Sequence, residues 1–140
     1  MTLLIQYTIL FASVLMLVAL GGCFSEHSGV INLGLEGIMI MGSLGGALTM
    51  KFLPSGTNAA VMILMVAIIS MLAGIVYSML LAVASVNFNA DQTLVGTAMN
   101  MLAAAAATVI VKTINMAENP DNVSSTVQYV NAKKAFISSV

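Results

Sequence analysis

Four long apolar segments, separated by short polar stretches, organise this chain. They run over residues 2–24, 30–53, 59–86 and 93–111, and the first, third and fourth contain no charged residue. A helix of about 20 apolar residues crosses the hydrocarbon core of a bilayer. The pattern therefore predicts an all-α fold, a polytopic helical membrane protein with about four apolar segments.

The second segment is the irregular one. It carries Asn32 and Glu36 near its start and Lys51 near its end, so its uncharged, mainly apolar part, residues 38–50, is short. Residues 24–37, which come directly before this part, contain several glycines and polar residues. Glycine allows the backbone to bend, and ionisable groups at membrane depth usually mark a functional site. We therefore expect this segment to be broken or partly re-entrant, with function at its polar start.

Beyond the fourth segment the chain becomes polar. The stretch from Asn115 onward is rich in Asn and Ser, and it contains Lys133 and Lys134 near its end. We interpret residues 1–113 as a membrane-embedded helical bundle and residues 114–140 as a polar tail or loop.

Small residues at helical spacing predict close packing of two segments. They let helices approach in lipid, where burial of apolar surface gives no driving force for association. The members are Gly42 and Gly46 in the second segment and Ser70, Gly74, Ser78 and Ala82 in the third.

The fourth segment has a polar face. Thr93, Thr97, Asn100, Ala104 and Thr108 recur at spacings of three and four, which places them on one side of a helix. An Asn side chain in an apolar environment needs a hydrogen-bond partner. Together with the second segment, this face predicts a polar path through the membrane whose candidate residues are Asn32, Glu36, Thr97 and Asn100. Asp91, just before the segment, is expected to be a helix N-cap.

Composition narrows the class of protein. The 140 residues are 60% hydrophobic and 6% charged, with a net charge of −1, whereas soluble domains carry about 25% charged residues. The expected surroundings are a lipid bilayer, and nucleic acid is excluded as a partner because the basic residues it requires are too few. The sequence shows no nucleophile–base pair, metal-ligand cluster or phosphate-binding loop. We therefore expect no enzyme activity, no metal and no cofactor.

Two blocks of sequence resemble a known family. Residues 19–42 read ALGGCFSEHSGVINLGLEGIMIMG, and residues 89–103 read NADQTLVGTAMNMLA. Their content, order and separation are similar to those of membrane permeases of bacterial ABC importers, of the nucleoside or simple-sugar type, which are related to the branched-chain amino acid and ribose permeases. The resemblance covers about residues 19–111. Family permeases continue into further spans and a coupling helix, so we expect a truncated or partial permease domain.

The resemblance implies a function and a set of partners. It implies a multi-pass protein of the bacterial cytoplasmic (inner) membrane that forms part of the translocation path for a small polar solute, with a nucleoside or simple sugar favoured. The implied partners are an ABC ATPase subunit, a second permease subunit and an extracytoplasmic substrate-binding protein. Alternating access, driven by ATP hydrolysis in the separate subunits, is the implied mechanism.

Alternatives from other classes stay open at this point. One is a small ion- or proton-conducting membrane oligomer in which Glu36 titrates. Another is a non-transporting membrane protein, either structural or anchored by lipid at Cys23, since residues 20–23 resemble a lipoprotein cleavage box. The orientation is open as well. The lysines favour a cytoplasmic location for the ends marked by Lys51 and Lys112, whereas the family resemblance places the turn at residues 87–91 inside.

Overall fold

The computed structural model describes residues 2–29, 31–53 and 58–127. Within these ranges the chain forms four helices: α1 (Thr2–His27), α2 (Leu35–Phe52), α3 (Ala59–Asn87) and α4 (Gln92–Glu118). The helices α1, α3 and α4 are each long and apolar enough to cross a membrane. The described residues thus confirm the predicted class, a polytopic helical membrane protein. Lys133 and Lys134, like the rest of the predicted tail from residue 128, lie outside them.

The irregularity predicted for the second segment lies at its start. Residues 31–34 are not helical, and α2 begins only at Leu35. From there α2 runs for 18 residues, a length of about 27 Å at 1.5 Å per residue, slightly less than the hydrocarbon core of about 30 Å. Its last turn holds Lys51, which suits the negative end of the helix dipole.

Glycines bring α2 against α3. A Cβ atom at Gly45 would lie 2.9 Å from the Ala73 Cβ, and one at Gly42 would lie 3.3 Å from the Ser70 carbonyl oxygen. A Cβ at Gly46 would collide with the Ser70 Oγ. Only residues without a side chain allow this approach, so dispersion contacts between the two helices are formed at close range.

The small residues of α3 divide between two surroundings. Ser70 and Gly74 lie at the contact with α2, where a Cβ at Gly74 would meet the Ile38 Cγ2 at 3.5 Å. Ser78 donates its hydroxyl hydrogen to the Ile75 carbonyl at 2.8 Å. The Ser78 side chain also lines a cavity with Ser25, near the end of α1, and Ser28, just after it. The helix-packing contact with α2 therefore involves the first half of the predicted stripe.

A buried tyrosine joins α3 to α4. The Tyr77 hydroxyl donates to the Met99 carbonyl at 2.7 Å, and Tyr77 and Met99 form the core together with Leu81 and Ala103. This hydrogen bond satisfies the phenol where water is absent. It also sets the register of α4 beside α3.

An ion pair joins the C-terminal end of α2 to the C-terminal end of α4. The Lys51 Nζ lies 2.9 Å from the Glu118 Oε1, and the two side chains are 5% and 43% exposed. A nearly buried ammonium group is tolerated when a carboxylate lies beside it. Nearby, the buried Asn115 donates to the carbonyl oxygens of Ser124 and Thr126, each at 2.9 Å. The chain after α4 is thereby folded back against that helix.

Helix α1 packs against little of the described chain. It has no buried residue, and its contacts with the other described helices are limited to α2. From Thr2 to Phe24 its surface carries no charged residue, which suits a helix surrounded by lipid or by further membrane protein.

The close approach of α2 and α3 predicts that a methyl group added at Gly45 destabilises the protein. In a helix, Gly→Ala alone stabilises by about 0.5–1 kcal/mol. At Gly45, however, the new methyl meets the Ala73 Cβ, which cannot rotate away, so Gly45→Ala should lower the thermal unfolding temperature in detergent through overpacking of about 1–3 kcal/mol.

Gly21→Ala is the matched control, since a Cβ there has no neighbour within 4 Å. It should leave the unfolding temperature unchanged or raise it. Equal effects of the two substitutions would contradict the packing described for α2 and α3.

A polar groove at the start of the second helix

The turn before α2 depends on side chains for its hydrogen bonds. Gly34 occupies the N-cap position of α2 and offers no side-chain acceptor. Asn32, inside the turn, accepts a hydrogen bond from the Gly34 amide at 3.1 Å. The first intrahelical hydrogen bond runs from the Ile38 amide to the Gly34 carbonyl. The amides of residues 35–37 precede it and have no partner within the helix.

Asn100 of α4 reaches this turn with both ends of its carboxamide. Its Oδ1 accepts from the Gly37 amide at 2.7 Å, and its Nδ2 donates to the Leu33 carbonyl at 2.9 Å. The predicted need of Asn100 for a hydrogen-bond partner is therefore met by the backbone around the start of α2. The hydrogen bonds join residues that are more than 60 positions apart in the chain.

Two further residues of α4 contact the same turn. Gln92 accepts a hydrogen bond from the Ile31 amide at 3.1 Å. Gly96 is buried, and a Cβ there would lie 3.0 Å from the Gly34 nitrogen and 3.1 Å from the Leu33 carbonyl carbon. Gln92, Gly96 and Asn100 are spaced by four residues and form one face of α4, which we call the clamp face.

Beside the clamp face lies a groove between α2 and α4, with a volume of about 370 Å³. Its polar lining comes from Glu36, Thr97 and Asn100, and its apolar lining from Ile40, Met101 and Ala104. Glu36 is exposed and lies in the first turn of α2, where the helix dipole favours an anion. It forms no ion pair with any residue in the described part of the chain.

The structure brings three of the four predicted path residues together. Glu36, Thr97 and Asn100 share the groove, whereas Asn32 lines a separate cavity of about 240 Å³. The hydroxyl side chains of that second cavity belong to Ser25, Ser28, Ser78 and Ser85. That these residues form a translocation path stays a prediction.

Sequence reasoning missed part of the face of α4 that meets α2. It selected the threonine face, but Thr93, Thr97 and Thr108 are exposed, whereas the clamp face makes the contact. The spacing of Gln92, Gly96 and Asn100 by four residues was the available signal. The N-cap prediction is confirmed, since Asp91 accepts from the Thr93 amide at 2.9 Å.

The groove presents hydrogen-bond acceptors. The Glu36 carboxylate accepts only. The Thr97 hydroxyl is close to the carbonyls of Thr93 and Leu94, at 3.1 and 3.0 Å, so its hydrogen is directed to its own helix and its lone pairs are left for a ligand. A solute with N–H or O–H donors is therefore complementary to this groove.

The fold defines a polytopic helical membrane protein with a polar groove beside a short helix. The chain belongs to the family described as branched-chain amino acid transport system / permease component, whose model matches residues 4–140. It is a multi-pass protein of the bacterial cytoplasmic membrane.

Individual relatives are named as nucleoside transporters. The guanosine ABC transporter permease protein NupQ of Bacillus subtilis is 43% identical over 114 residues, which cover 81% of this chain and 35% of NupQ. The nucleoside ABC transporter permease protein NupC of Lactococcus lactis is 33% identical over 97 residues, 69% of this chain and 30% of NupC. The chain thus spans about a third of the length of these relatives. No solved structure matches it.

The clamp face predicts that Gly96 cannot carry a side chain. Gly96→Ala places a methyl group against the backbone of residues 33–34, which has no rotamer with which to yield, so the turn and α4 must separate. We expect a lower thermal unfolding temperature in detergent, with a loss of about 1–3 kcal/mol.

Gly74→Ala serves as the comparison for Gly96→Ala, because its Cβ would make only an ordinary contact of 3.5 Å with a side-chain carbon. The unfolding temperature of Gly74→Ala should equal or exceed that of the parent. A Gly96→Ala protein as stable as the Gly74→Ala protein would show that α4 does not approach the turn this closely.

Proposed function

We propose that this chain forms part of the translocation path of an ABC importer for a nucleoside-like solute, with the groove of Glu36, Thr97 and Asn100 as the solute-facing surface. The observation that carries the proposal is the Glu36 carboxylate. It is exposed in the first turn of α2 and lacks an ion-pair partner in the described chain, whereas the other acidic residue of α2 and α4, Glu118, pairs with Lys51. A charged group that faces lipid is costly, so such groups face water-filled cavities or protein.

The chemistry of the groove favours a neutral solute with hydrogen-bond donors. Nucleosides carry hydroxyl and amino donors and no negative charge, which matches the acceptors of Glu36 and Thr97. The names of NupQ and NupC, a guanosine and a nucleoside permease protein, support the same choice of solute. We therefore favour a nucleoside over a phosphorylated or carboxylated solute.

The proposal assigns energy supply to other subunits. The partners we propose are an ABC ATPase subunit, a second permease subunit and an extracytoplasmic substrate-binding protein. In this scheme the chain performs no catalysis. Residues 1–113 act as the membrane-embedded part and residues 114–140 as a polar extension, the first residues of which, up to Glu118, continue α4. Alternating access then exposes the groove to one side of the membrane at a time.

Glu36→Gln tests the path directly. The substitution keeps the shape and one acceptor oxygen but removes the charge. Hydrogen bonds to a charged group contribute about 1.5–3 kcal/mol, so uptake of labelled guanosine should fall about tenfold or more. The measurement uses cells that carry the chain in its native genomic context, with the amount of assembled complex determined in parallel.

Glu26→Gln is the matched control, because Glu26 is also an exposed carboxylate but lies at the end of α1 outside the groove. It should leave uptake unchanged. Unaltered uptake in Glu36→Gln would reject the path assignment. A proton leak that depends on Glu36, measured in vesicles that hold this chain alone, would favour the proton-conducting alternative instead.

Discrimination against phosphate follows from the same carboxylate. Two like charges 4 Å apart near a protein surface repel by about 4 kcal/mol. Unlabelled guanosine should therefore displace labelled guanosine from the purified transporter in detergent, whereas guanosine 5′-monophosphate should not. In Glu36→Gln the difference between the two competitors should narrow. Equal competition by both compounds at the parent protein would contradict the assignment.

A further inference from the structure

The start of α2 lacks the cap that helices ordinarily carry within their own sequence. Ser, Thr, Asp or Asn at the N-cap normally accepts a hydrogen bond from the second or third amide of the helix. In α2 this position is Gly34, which has no side chain to do so. The third amide belongs to Gly37, and its acceptor is the Asn100 Oδ1 of α4, at 2.7 Å.

We propose that Asn100 is an N-cap supplied from another helix, a positioning residue that holds the first turn of α2 and thereby aims the Glu36 carboxylate into the groove. In this role Asn100 lines the groove but does not select the solute. The aiming of Glu36 rests on the proposed function, whereas the cap itself does not.

The second hydrogen bond of Asn100 makes the cap a two-point clamp. Its Nδ2 donates to the Leu33 carbonyl at 2.9 Å, on the non-helical side of Gly34. One carboxamide therefore bridges the last residues of the turn and the first turn of the helix. Rotation of α2 about its axis would break the hydrogen bond from the Gly37 amide, and Glu36, which directly precedes Gly37, would leave the groove.

The neighbouring glycines, Gly37 and Gly96, leave the space that these hydrogen bonds require. A Cβ at Gly37 would lie 3.0 Å from the Asn100 Oδ1 and 3.1 Å from the Met99 carbonyl oxygen. Gly96, one helical turn before Asn100, admits the backbone of Gly34 in the same way. Side chains at these positions would push α4 away and lengthen the hydrogen bonds of Asn100.

The contrast with Thr97 separates positioning from solute contact. Both residues line the groove, but the Thr97 hydroxyl bonds only within its own helix. Loss of the Thr97 hydroxyl therefore removes no hydrogen bond to α2 or to the turn before it. Asn100, in contrast, directs one donor and one acceptor to the segment that carries Glu36.

Amide hydrogen exchange at residues 35–38, measured on the complete chain in lipid nanodiscs, tests the cap. Asn100→Leu keeps the size of the side chain and removes both hydrogen bonds, so the Gly37 amide should exchange about tenfold faster. Asn100→Asp retains an acceptor oxygen for that amide and should keep it protected to within a few fold. Thr97→Val, the matched groove variant, should leave it unchanged.

Each outcome decides the proposal. Unchanged Gly37 exchange in a folded Asn100→Leu protein would overturn the cap. If Asn100→Leu does not fold, Asn100→Asp decides: a protected Gly37 amide supports the cap, and a fast-exchanging one overturns it. Faster exchange in Thr97→Val as well would also overturn it, since the effect would then belong to the groove in general.

A transport measurement separates this proposal from the proposed function. Uptake should fall in Asn100→Leu together with the loss of protection, whereas Glu36→Gln should lower uptake with the Gly37 amide still protected. If Asn100→Leu raises exchange but Glu36→Gln leaves uptake intact, the cap is retained and the path assignment fails.

Discussion

The hydrogen bonds between the Asn100 carboxamide and the backbone at Leu33 and Gly37 are the interaction on which this arrangement depends. Backbone N–H and C=O groups inside a membrane find no water, so non-helical chain is tolerated there only where protein satisfies it. The turn before α2 meets this condition through Asn32, Gln92 and Asn100. The place where α2 begins, and so the direction of Glu36, follows from these side chains.

The rest of the packing holds α2 between its neighbours. Near its start it is clamped by α4, along its length it lies against α3 through Gly42, Gly45 and Gly46, and at its end Lys51 pairs with Glu118 of α4. The Tyr77–Met99 hydrogen bond ties α3 to α4. Because apolar burial does not drive association within lipid, close glycine contacts and buried hydrogen bonds take over this role.

Much of the architecture was predictable from local pattern. The limits of the third segment differ from those of α3 by one residue at the C-terminal end, because a long uncharged run bounded by polar residues has few alternatives in a membrane. The irregular start of the second segment was also predictable, from Asn32, Glu36 and the glycines around them. Asp91 as an N-cap depends on residues two apart, and such local hydrogen bonds can be inferred directly from sequence.

The partners of those local features depended on the tertiary structure. Which face of α4 meets α2 was not settled by spacing, since the threonine face and the clamp face share Asn100 and are both periodic. Contact selected the face with Gly96, because only a residue without a side chain admits the backbone of the turn at 3.0 Å. Gly45 was missed for the same reason: a glycine matters for packing only where another helix approaches it.

By itself the sequence determined the membrane as solvent, the number of apolar segments and the position of the irregular one, since these follow from local hydropathy and residue type. Only the tertiary structure decided that Glu36, Thr97 and Asn100 share a groove while Asn32 lies in another cavity. It also decided that the cap of α2 comes from a residue 63 positions away from Gly37. The physical reason is that hydropathy belongs to each residue alone, whereas a hydrogen bond between distant segments exists only once packing has brought donor and acceptor together.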